Sequence, residues 1–141
     1  MIAIGCDHGG FEIKQKIVQM LREKNISFID CGTDSTQSVD YPIYAKKVCA
    51  LIQKKDADKG ILVCGTGIGM SIAANKQQGI RAAVVTSDFT AEMARRHNDA
   101  NVICLGGPVL SDEDALRFTD IFLNTPFDGG RHSTRVWMYE H

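Results

Sequence analysis

The chain has 141 residues, and its 16 basic and 17 acidic side chains give a formal net charge of −1. A chain of this length can bury a substantial core, so we expect a single domain over residues 1–141. The balanced charge offers no basic surface for nucleic acid, and no apolar run approaches the roughly 20 residues of a membrane span. We therefore expect no nucleic-acid partner and no membrane partner.

Cysteine usage indicates the compartment. The five cysteines are Cys6, Cys31, Cys49, Cys64 and Cys104. Their number is odd and no two form a CxxC pair, so neither a disulfide framework nor a structural zinc site is indicated. The first residues predict a strand and lack the basic-then-apolar pattern of a signal peptide. We expect a reducing, cytoplasmic environment.

Short apolar runs alternate with stretches of helical periodicity along most of the chain. The runs predict strands at Ile2–Cys6, Ile26–Cys31, Gly60–Cys64, Ile80–Thr86 and Asn101–Leu105. The periodic stretches predict helices at about Phe11–Lys24, Ile43–Lys55, Gly69–Lys76, Phe89–Arg96 and Asp112–Leu123. Five consecutive β-then-α units indicate an α/β fold, namely a three-layer α/β/α sandwich around a five-stranded parallel Rossmann-like sheet.

Residues 124–141 follow the last predicted helix as a C-terminal tail that is rich in arginine and aromatic side chains. Trp137 and Tyr139 are side chains of the kind that protein interfaces favour. We therefore expect this tail to dock on a second subunit.

Cys64 lies between a buried strand and the glycine-rich turn Gly65–Gly69. Free backbone N–H groups at the start of a helix favour a thiolate and stabilise anions nearby. Met70 occupies the third glycine of a dinucleotide-binding fingerprint and the arginine of a Cys-x5-Arg phosphatase, and no Walker A lysine follows. The segment indicates an anion hole beside a thiol, with an inert buried cysteine in a tight turn as the alternative.

Further polar groups follow the first strand and close the fourth helix. Asp7 and His8, before two glycines, can bind hydroxyls and orient a sugar ring, or can be a capping carboxylate with a satisfied imidazole. His97 is a candidate acid–base catalyst because of its residue type, although a histidine at a helix C-terminus also interacts favourably with the helix dipole. Arg131 and Arg135 can hold a phosphate dianion through paired hydrogen bonds, unless the tail is merely solvated.

Five segments together resemble the ribose-5-phosphate isomerase B family, which includes galactose- and allose-phosphate isomerases. These segments are Gly5–Gly10, Val39–Pro42, Gly60–Lys76, Gly79–Ala83 and Arg96–Asn101. The resemblance runs in order over nearly the whole chain. It implies a sugar-phosphate substrate, no cofactor and no metal. The implied reaction is the aldose–ketose isomerisation of ribose 5-phosphate and ribulose 5-phosphate through an enediolate, in the pentose phosphate pathway.

The resemblance also implies roles for individual residues. Cys64 corresponds to the base that moves a proton between C1 and C2. His97 corresponds to the residue that helps open the furanose ring, with Thr66 and Asp7 near the ring and carbonyl oxygens. The implied substrate contacts, which include the anion hole, are Asp7, His8, Tyr41, Gly65, Gly67, Ile68, Gly69, Ser71, Asn98, Arg131 and Arg135. In the family these sites are shared across a homodimer, so we expect a homodimer or a tetramer.

One position departs from the family pattern. An arginine usually follows the fifth strand as a further phosphate contact, whereas this chain has Pro108. We expect phosphate binding to rest on Arg131 and Arg135, with a different substrate preference as the alternative.

Three other functions stay open. The nearest is a hexose 6-phosphate isomerase acting on allose or galactose 6-phosphate. The second is a non-catalytic sugar-phosphate-binding module. The third is a metal-dependent enzyme with His8, Cys64 and His97 as ligands, which lacks a specific ligand spacing.

Overall fold

A computed structural model describes residues 1–141 as one sheet flanked by helices. The strands are β1 (Ile2–Cys6), β2 (Phe28–Asp30), β3 (Lys59–Cys64), β4 (Ala82–Val84) and β5 (Val102–Gly106). The helices are α1 (Phe11–Glu23), α2 (Tyr41–Gln53), α3 (Ile68–Asn75), α4 (Asp88–Arg96), α5 (Asp112–Asn124) and α6 (Arg131–Trp137), and a 3-10 turn covers His8–Gly10. None of these helices is both long enough and apolar enough to cross a lipid bilayer.

The sheet order is β2-β1-β3-β5-β4, and every neighbouring pair of strands is parallel. The α1 and α4 connections move across the sheet in one direction, while the α2 and α3 connections move in the other. Because parallel crossovers are right-handed, α1 and α4 must cover one face of the sheet and α2 and α3 the other. The predicted three-layer α/β/α fold is confirmed.

The buried side chains form two clusters, one on each face of the sheet. The larger cluster joins Leu21 of α1 and Ala94 of α4 with Phe122 of α5 and one face of the strands. The smaller cluster joins Val48 of α2 and Met70 of α3 with the other face, which includes Cys64. Alternation along β3 therefore decides that the Cys64 side chain points toward the α2 and α3 layer.

The two edge strands are shorter than the sequence predicts. The run Ile26–Cys31 pairs with β1 only over Phe28–Asp30, and the run Ile80–Thr86 pairs with β5 only over Ala82–Val84. An edge strand has a neighbour on one side only, so its ladder ends where that neighbour diverges. Helix α2 begins at Tyr41, two residues before the predicted start, with Pro42 in its first turn.

The C-terminal tail contains a helix, α6, that the sequence does not predict. The tail is bonded to its own chain, since Asp128 N–H donates to the Arg96 carbonyl over 3.0 Å and Gly79 N–H donates to Glu140 Oε1 over 3.0 Å. None of the α6 side chains is buried, and Trp137 and Met138 are 60% and 63% exposed. Docking of this exposed surface on a second subunit stays a prediction.

Candidate active site

The order of the strands marks one position in the sheet as the expected ligand site. From β1 the chain turns toward β2, whereas from β3 it turns in the opposite direction, so the crevice lies between adjacent strands β1 and β3. Ligands of open α/β sheets bind at the carboxyl ends of the strands at such a point. Asp7 directly follows β1, and Gly65 directly follows β3.

The Cys64 thiol is held at the mouth of this crevice. Its Sγ accepts a hydrogen bond from Gly67 N–H over 3.1 Å, and Cys64 is only 4% exposed. Gly67 has φ +82°, and a Cβ there would lie 3.1 Å from the Leu105 carbonyl carbon. A left-handed conformation and a close backbone neighbour both require glycine at this position.

Not every N–H group of the glycine turn is available to a ligand. Gly67 N–H is bonded to Cys64, and Ile68 N–H donates to Thr66 Oγ1 over 3.2 Å. The N–H groups of Gly65, Thr66 and Gly69 have no acceptor within the protein. These three donors are therefore the ones that can face an anion. Ser71 Oγ donates to the Ile68 carbonyl over 2.7 Å.

The other four cysteines lie in surroundings that disfavour a thiolate. Burial raises the pKa of Cys6 and of Cys49 to about 11, and it also raises the pKa of Cys31. Burial, with the nearby Cys64 and Cys49 thiols, raises the pKa of Cys104 well above its ordinary value. These four side chains stay protonated at neutral pH and act as apolar core groups.

The polar residues after β1 organise the neighbouring loops. Asp7 is buried, and its Oδ1 accepts a hydrogen bond from Gly10 N–H over 3.1 Å, which caps the 3-10 turn. His8 is exposed, and its Nδ1 accepts from Val39 N–H over 3.1 Å. A neutral His8 must then carry its proton on Nε2, so this atom is a donor to whatever enters the crevice.

Tyr41 lies directly over the glycine turn. A Cβ on Gly69 would be 2.6 Å from the Tyr41 ring, so only glycine permits this approach. The His8–Val39 hydrogen bond fixes the loop that leads to Tyr41. The structure thus brings His8, Tyr41 and Gly69 to the same side of the crevice as Cys64.

The turn after β5 closes the crevice from the other side. Gly107 N–H donates to the Cys64 carbonyl over 2.8 Å, and a Cβ on Gly107 would lie 2.6 Å from the Gly9 carbonyl oxygen. Pro108 follows as an exposed residue at this carboxyl edge of the sheet. The uncharged proline therefore stands on the same edge as Cys64.

The remaining predicted site residues lie at the opposite edge of the sheet. His97 and Asn98 follow α4 and precede β5, which places them at its amino end. A five-residue strand spans roughly 17 Å. Asn98 Nδ2 donates to Tyr139 Oη over 2.9 Å, and α6 with Arg131 and Arg135 runs beside them. One chain therefore does not bring His97, Asn98 or the two arginines to Cys64.

The predicted site residues thus form two groups. The group at the carboxyl edge comprises Asp7, His8, Tyr41, Cys64, Gly65, Thr66, Gly67, Ile68, Gly69 and Ser71. The group at the amino edge comprises His97, Asn98, Arg131 and Arg135. The ligand set His8, Cys64 and His97 is divided between the two edges, so no single chain assembles that metal site.

The amino edge is rich in cationic and imidazole groups. The rings of His97 and His132 stack with centroids 4.2 Å apart and planes 11° apart. Partial burial, with His97, Arg131 and Arg135 nearby, lowers the pKa of His132, while Asp128 acts in the opposite direction. None of the ion pairs in the chain involves Arg131 or Arg135, so both guanidinium groups are free to bind an anion.

A cavity of about 610 Å³ adjoins this edge. Its wall includes Lys76, Arg81, Asn98, Tyr139 and Glu140. The sequence pattern predicts Asn98 as a site residue but does not indicate His132 or Tyr139. The sequence does contain a hint for His132, because it stands directly beside Arg131, a predicted phosphate-binding residue, and after the pair Gly129 and Gly130.

Comparison with known proteins gives consistent matches over the whole chain. Residues 2–139 match a family model described as Ribose/Galactose Isomerase. The chain is 47% identical over 135 residues to ribose-5-phosphate isomerase B of Escherichia coli, covering 96% of this chain and 91% of that protein. It is 45% identical over 139 residues to ribose-5-P isomerase B of Listeria innocua, covering 99% and 94%.

Solved structures agree with these matches. A ribose 5-phosphate isomerase from Thermotoga maritima has a TM-score of 0.97 at 51% identity, covering 99% of this chain and 96% of that chain. The type B ribose 5-phosphate isomerase of Trypanosoma brucei has a TM-score of 0.94 at 46% identity, covering 99% and 95%.

Proposed function

Because the chain belongs to the Ribose/Galactose Isomerase family, we propose that it interconverts ribose 5-phosphate and ribulose 5-phosphate through an enediolate, with Cys64 as the base. The observation that carries this proposal is the position of the Cys64 thiol beside three unpaired N–H donors, in the crevice between the carboxyl ends of β1 and β3. The enzyme is thus a sugar-phosphate aldose–ketose isomerase. Its five free cysteines fit a reducing, cytoplasmic setting.

The first step is the opening of the furanose ring. Ring opening breaks the bond between C1 and the ring oxygen, adds a proton to the ring oxygen and removes the proton of the O1 hydroxyl to leave the aldehyde, and an imidazole can carry the proton between these two oxygens. We assign this step to His97. Since His97 lies at the amino edge, it must act on a substrate held at the carboxyl edge of another copy of the chain.

The second step is proton transfer between carbons. The Cys64 thiolate takes the proton from C2 of the open aldose, and the electron pair moves to form the enediolate. Return of this proton to C1, with transfer of one hydroxyl proton between O2 and O1, gives the ketose. Thr66 Oγ1 already accepts a hydrogen bond from Ile68 N–H, which leaves its hydroxyl proton free to donate to these oxygens.

The negative charge of the enediolate requires fixed donors. The free N–H groups of Gly65, Thr66 and Gly69 stand at the start of α3, where the helix dipole adds positive potential. Loss of a single preorganised donor of this kind costs roughly 100-fold or more in rate. No cofactor enters any of these steps.

The phosphate group binds at Arg131 and Arg135. Both are exposed and unpaired, and they lie one helical turn apart on α6. Pro108 contributes no charge, so these two arginines carry most of the phosphate interaction. Their position at the amino edge makes the complete site a product of two chains, which supports a homodimer, with a tetramer as a pair of such dimers.

A turnover panel tests the proposal. We expect the purified protein to isomerise ribose 5-phosphate faster than allose 6-phosphate or galactose 6-phosphate, and to keep this activity in EDTA. Faster turnover of a hexose phosphate would make Pro108 part of a change in substrate preference. Tight binding without turnover of any of the three sugars would favour a non-catalytic binding module. Loss of activity in EDTA and its return with Zn²⁺ would instead support a metal-dependent enzyme.

A further inference from the structure

Three potential metal ligands meet at the amino edge of the sheet. A nitrogen of His97, a nitrogen of His132 and a carboxylate oxygen of Asp128 all lie within 4.8 Å of one another. His97 directly follows α4, whereas Asp128 and His132 belong to the tail, so the cluster joins two parts of the chain. The Asp128–Arg96 backbone hydrogen bond and the stacked imidazoles hold these parts together.

We propose that His97, Asp128 and His132 form a binding site for a borderline divalent transition metal such as Zn²⁺, and that the bound metal inhibits the isomerase. The inhibition rests on the proposed function, because the metal occupies the imidazole nitrogen that His97 needs for ring opening. The binding itself does not depend on that function.

The chemistry of the three ligands selects this class of metal. Two imidazoles and one carboxylate suit Zn²⁺ and similar ions, whereas Mg²⁺ and Ca²⁺ prefer sites made of oxygen alone. Three protein ligands leave a fourth position for water. The same set does not resemble a closed structural zinc site, which has four protein ligands.

Binding requires a small local contraction of the cluster. Zinc bonds of about 2.0–2.2 Å place tetrahedral ligand atoms roughly 3.3 Å apart, so ligand atoms now up to 4.8 Å apart must approach. The two imidazole planes must also tilt, since the lone pairs of parallel rings do not converge. Asp128 is exposed and α6 buries none of its side chains, so this part of the chain can adjust without opening the core.

Nearby cations set the strength of the site. Arg96 donates to Asp128 Oδ1 over 3.1 Å, but it also has Glu92 as a partner at 2.7 Å and can keep that pairing when Asp128 binds metal. Arg131 and Arg135 repel a divalent cation. These charges favour a reversible inhibitory site over a resident metal.

Metal binding at Cys64 is the competing explanation for any inhibition, because a thiolate is also a good zinc ligand. The binding experiment therefore uses the Cys64→Ser protein, titrated calorimetrically with ZnCl₂ and, as a comparison, with MgCl₂. We expect one zinc site and no magnesium site. Asp128→Asn and His132→Gln should each weaken zinc binding by about tenfold or more, the effect of losing roughly 1.4 kcal/mol.

Asp114→Asn is the matched control, because it removes a carboxylate that pairs with Arg117 on α5 and lies outside the cluster. It should leave the affinity for zinc unchanged. In the same titration the imidazole NMR signals of His97 and His132 should shift while those of His8 and His141 stay in place. Equal zinc affinity in all three variants, or shifts of His8 alone, would overturn the proposed site.

The inhibition is measured separately, with Cys64 intact. Asp128→Asn should need about tenfold more zinc than the wild-type protein for half-inhibition of ribose 5-phosphate turnover. The same half-inhibitory concentration in both proteins would place the inhibition at Cys64 and refute this half of the inference. If the protein turns over no sugar phosphate, the proposed function fails, whereas the binding titration still decides the metal site.

Discussion

Gly67 N–H donates to the Cys64 sulfur over 3.1 Å, and this bond links the proposed base to the start of α3. A thiolate accepts such a bond more strongly than a thiol does, so the interaction grows when Cys64 ionises. The left-handed conformation of Gly67 aims the donor at the sulfur. The same loop leaves the N–H groups of Gly65, Thr66 and Gly69 free to face an oxyanion, so a single turn positions both the proposed base and the proposed oxyanion hole.

Replacement of Cys64 tests its role as the base. We expect Cys64→Ala to lower ribose 5-phosphate turnover by at least about 100-fold, the usual worth of a positioned acid–base group. The α/β core and phosphate-sugar binding should persist, as circular dichroism and equilibrium binding would report. Cys31→Ala is the control, since Cys31 is a half-buried thiol away from the glycine turn. Turnover of Cys64→Ala at the level of Cys31→Ala would contradict the assignment.

The loop geometry predicts a difference between two glycines with similar backbones. Gly67 and Gly79 have φ of +82° and +78°, so alanine at either should cost roughly 1–2 kcal/mol of unfolding free energy. A Cβ at Gly79 meets nothing within 4 Å, whereas one at Gly67 crowds the Cys104 and Leu105 backbone. Urea unfolding should show Gly67→Ala as the less stable variant, and only Gly67→Ala should lose turnover. Equal unfolding free energies would mean that the loop can relax.

The contact between Gly69 and Tyr41 predicts a binding defect. A methyl group on Gly69 must displace the Tyr41 ring, so Gly69→Ala should raise the KM for ribose 5-phosphate several-fold. Steady-state kinetics on Gly69→Ala, Tyr41→Ala and the double variant would measure the coupling. The double variant should be less impaired than the sum of the two single changes predicts, because the clash is then removed. Strict additivity would show that the two residues act independently.

A site shared between chains predicts complementation. Neither Cys64→Ala nor His97→Asn should be active alone. Co-expressed at equal levels, they should form mixed dimers with one intact site each, which restores about a quarter of wild-type activity if pairing is random. Cys64→Ala co-expressed with Cys64→Ser supplies the control, since no intact site can form. An inactive mixture of the first pair would indicate that each chain uses its own His97.

The environment of His132 predicts a pH effect. Partial burial, His97, Arg131 and Arg135 lower its pKa, and Asp128 opposes them. The folded chain therefore favours the neutral form of His132. The docking of the tail weakens as the pH falls from about 6.5, the pKa of histidine in the unfolded chain, toward the lower pKa of His132 in the folded chain. An NMR titration in metal-free buffer should show this low pKa rising in Arg135→Gln and falling further in Asp128→Asn. A titration of His132 at or above the unfolded value would refute the prediction.

Much of the fold follows from the sequence because apolar runs and helical periodicity report burial directly. The predicted limits of β1 match the observed ones, since Ile2–Cys6 is buried throughout. The predicted β4 is too long, because the apolar character of Ile80–Thr86 does not reveal how far β5, its single neighbour, runs alongside it. Helix α6 escaped prediction because it buries no side chain and therefore shows no apolar stripe.

The division of the site into two edges was implicit in the order of elements. Cys64 ends a strand and His97 precedes one, and in a parallel sheet these positions lie at opposite edges. The pairing of Asn98 with Tyr139 could not be read from the sequence, because 41 residues separate them and only the fold brings them together. Lys14 is a similar case. Its amine is buried and bonds to both carboxylate oxygens of Asp30, although its neighbours in α1 include polar residues.

The placement of His97 and Cys64 at opposite edges also has a consequence for how the enzyme responds to its own concentration. In the proposed two-chain arrangement, a solitary chain carries one half of each of two sites and can complete neither of them. Catalytic capacity per chain would then follow the law of mass action, vanishing on sufficient dilution even though each subunit remains folded. At low concentrations of the enzyme, the isomerisation rate in the cell would thus rise with the square of the chain concentration, independently of the supply of sugar phosphate.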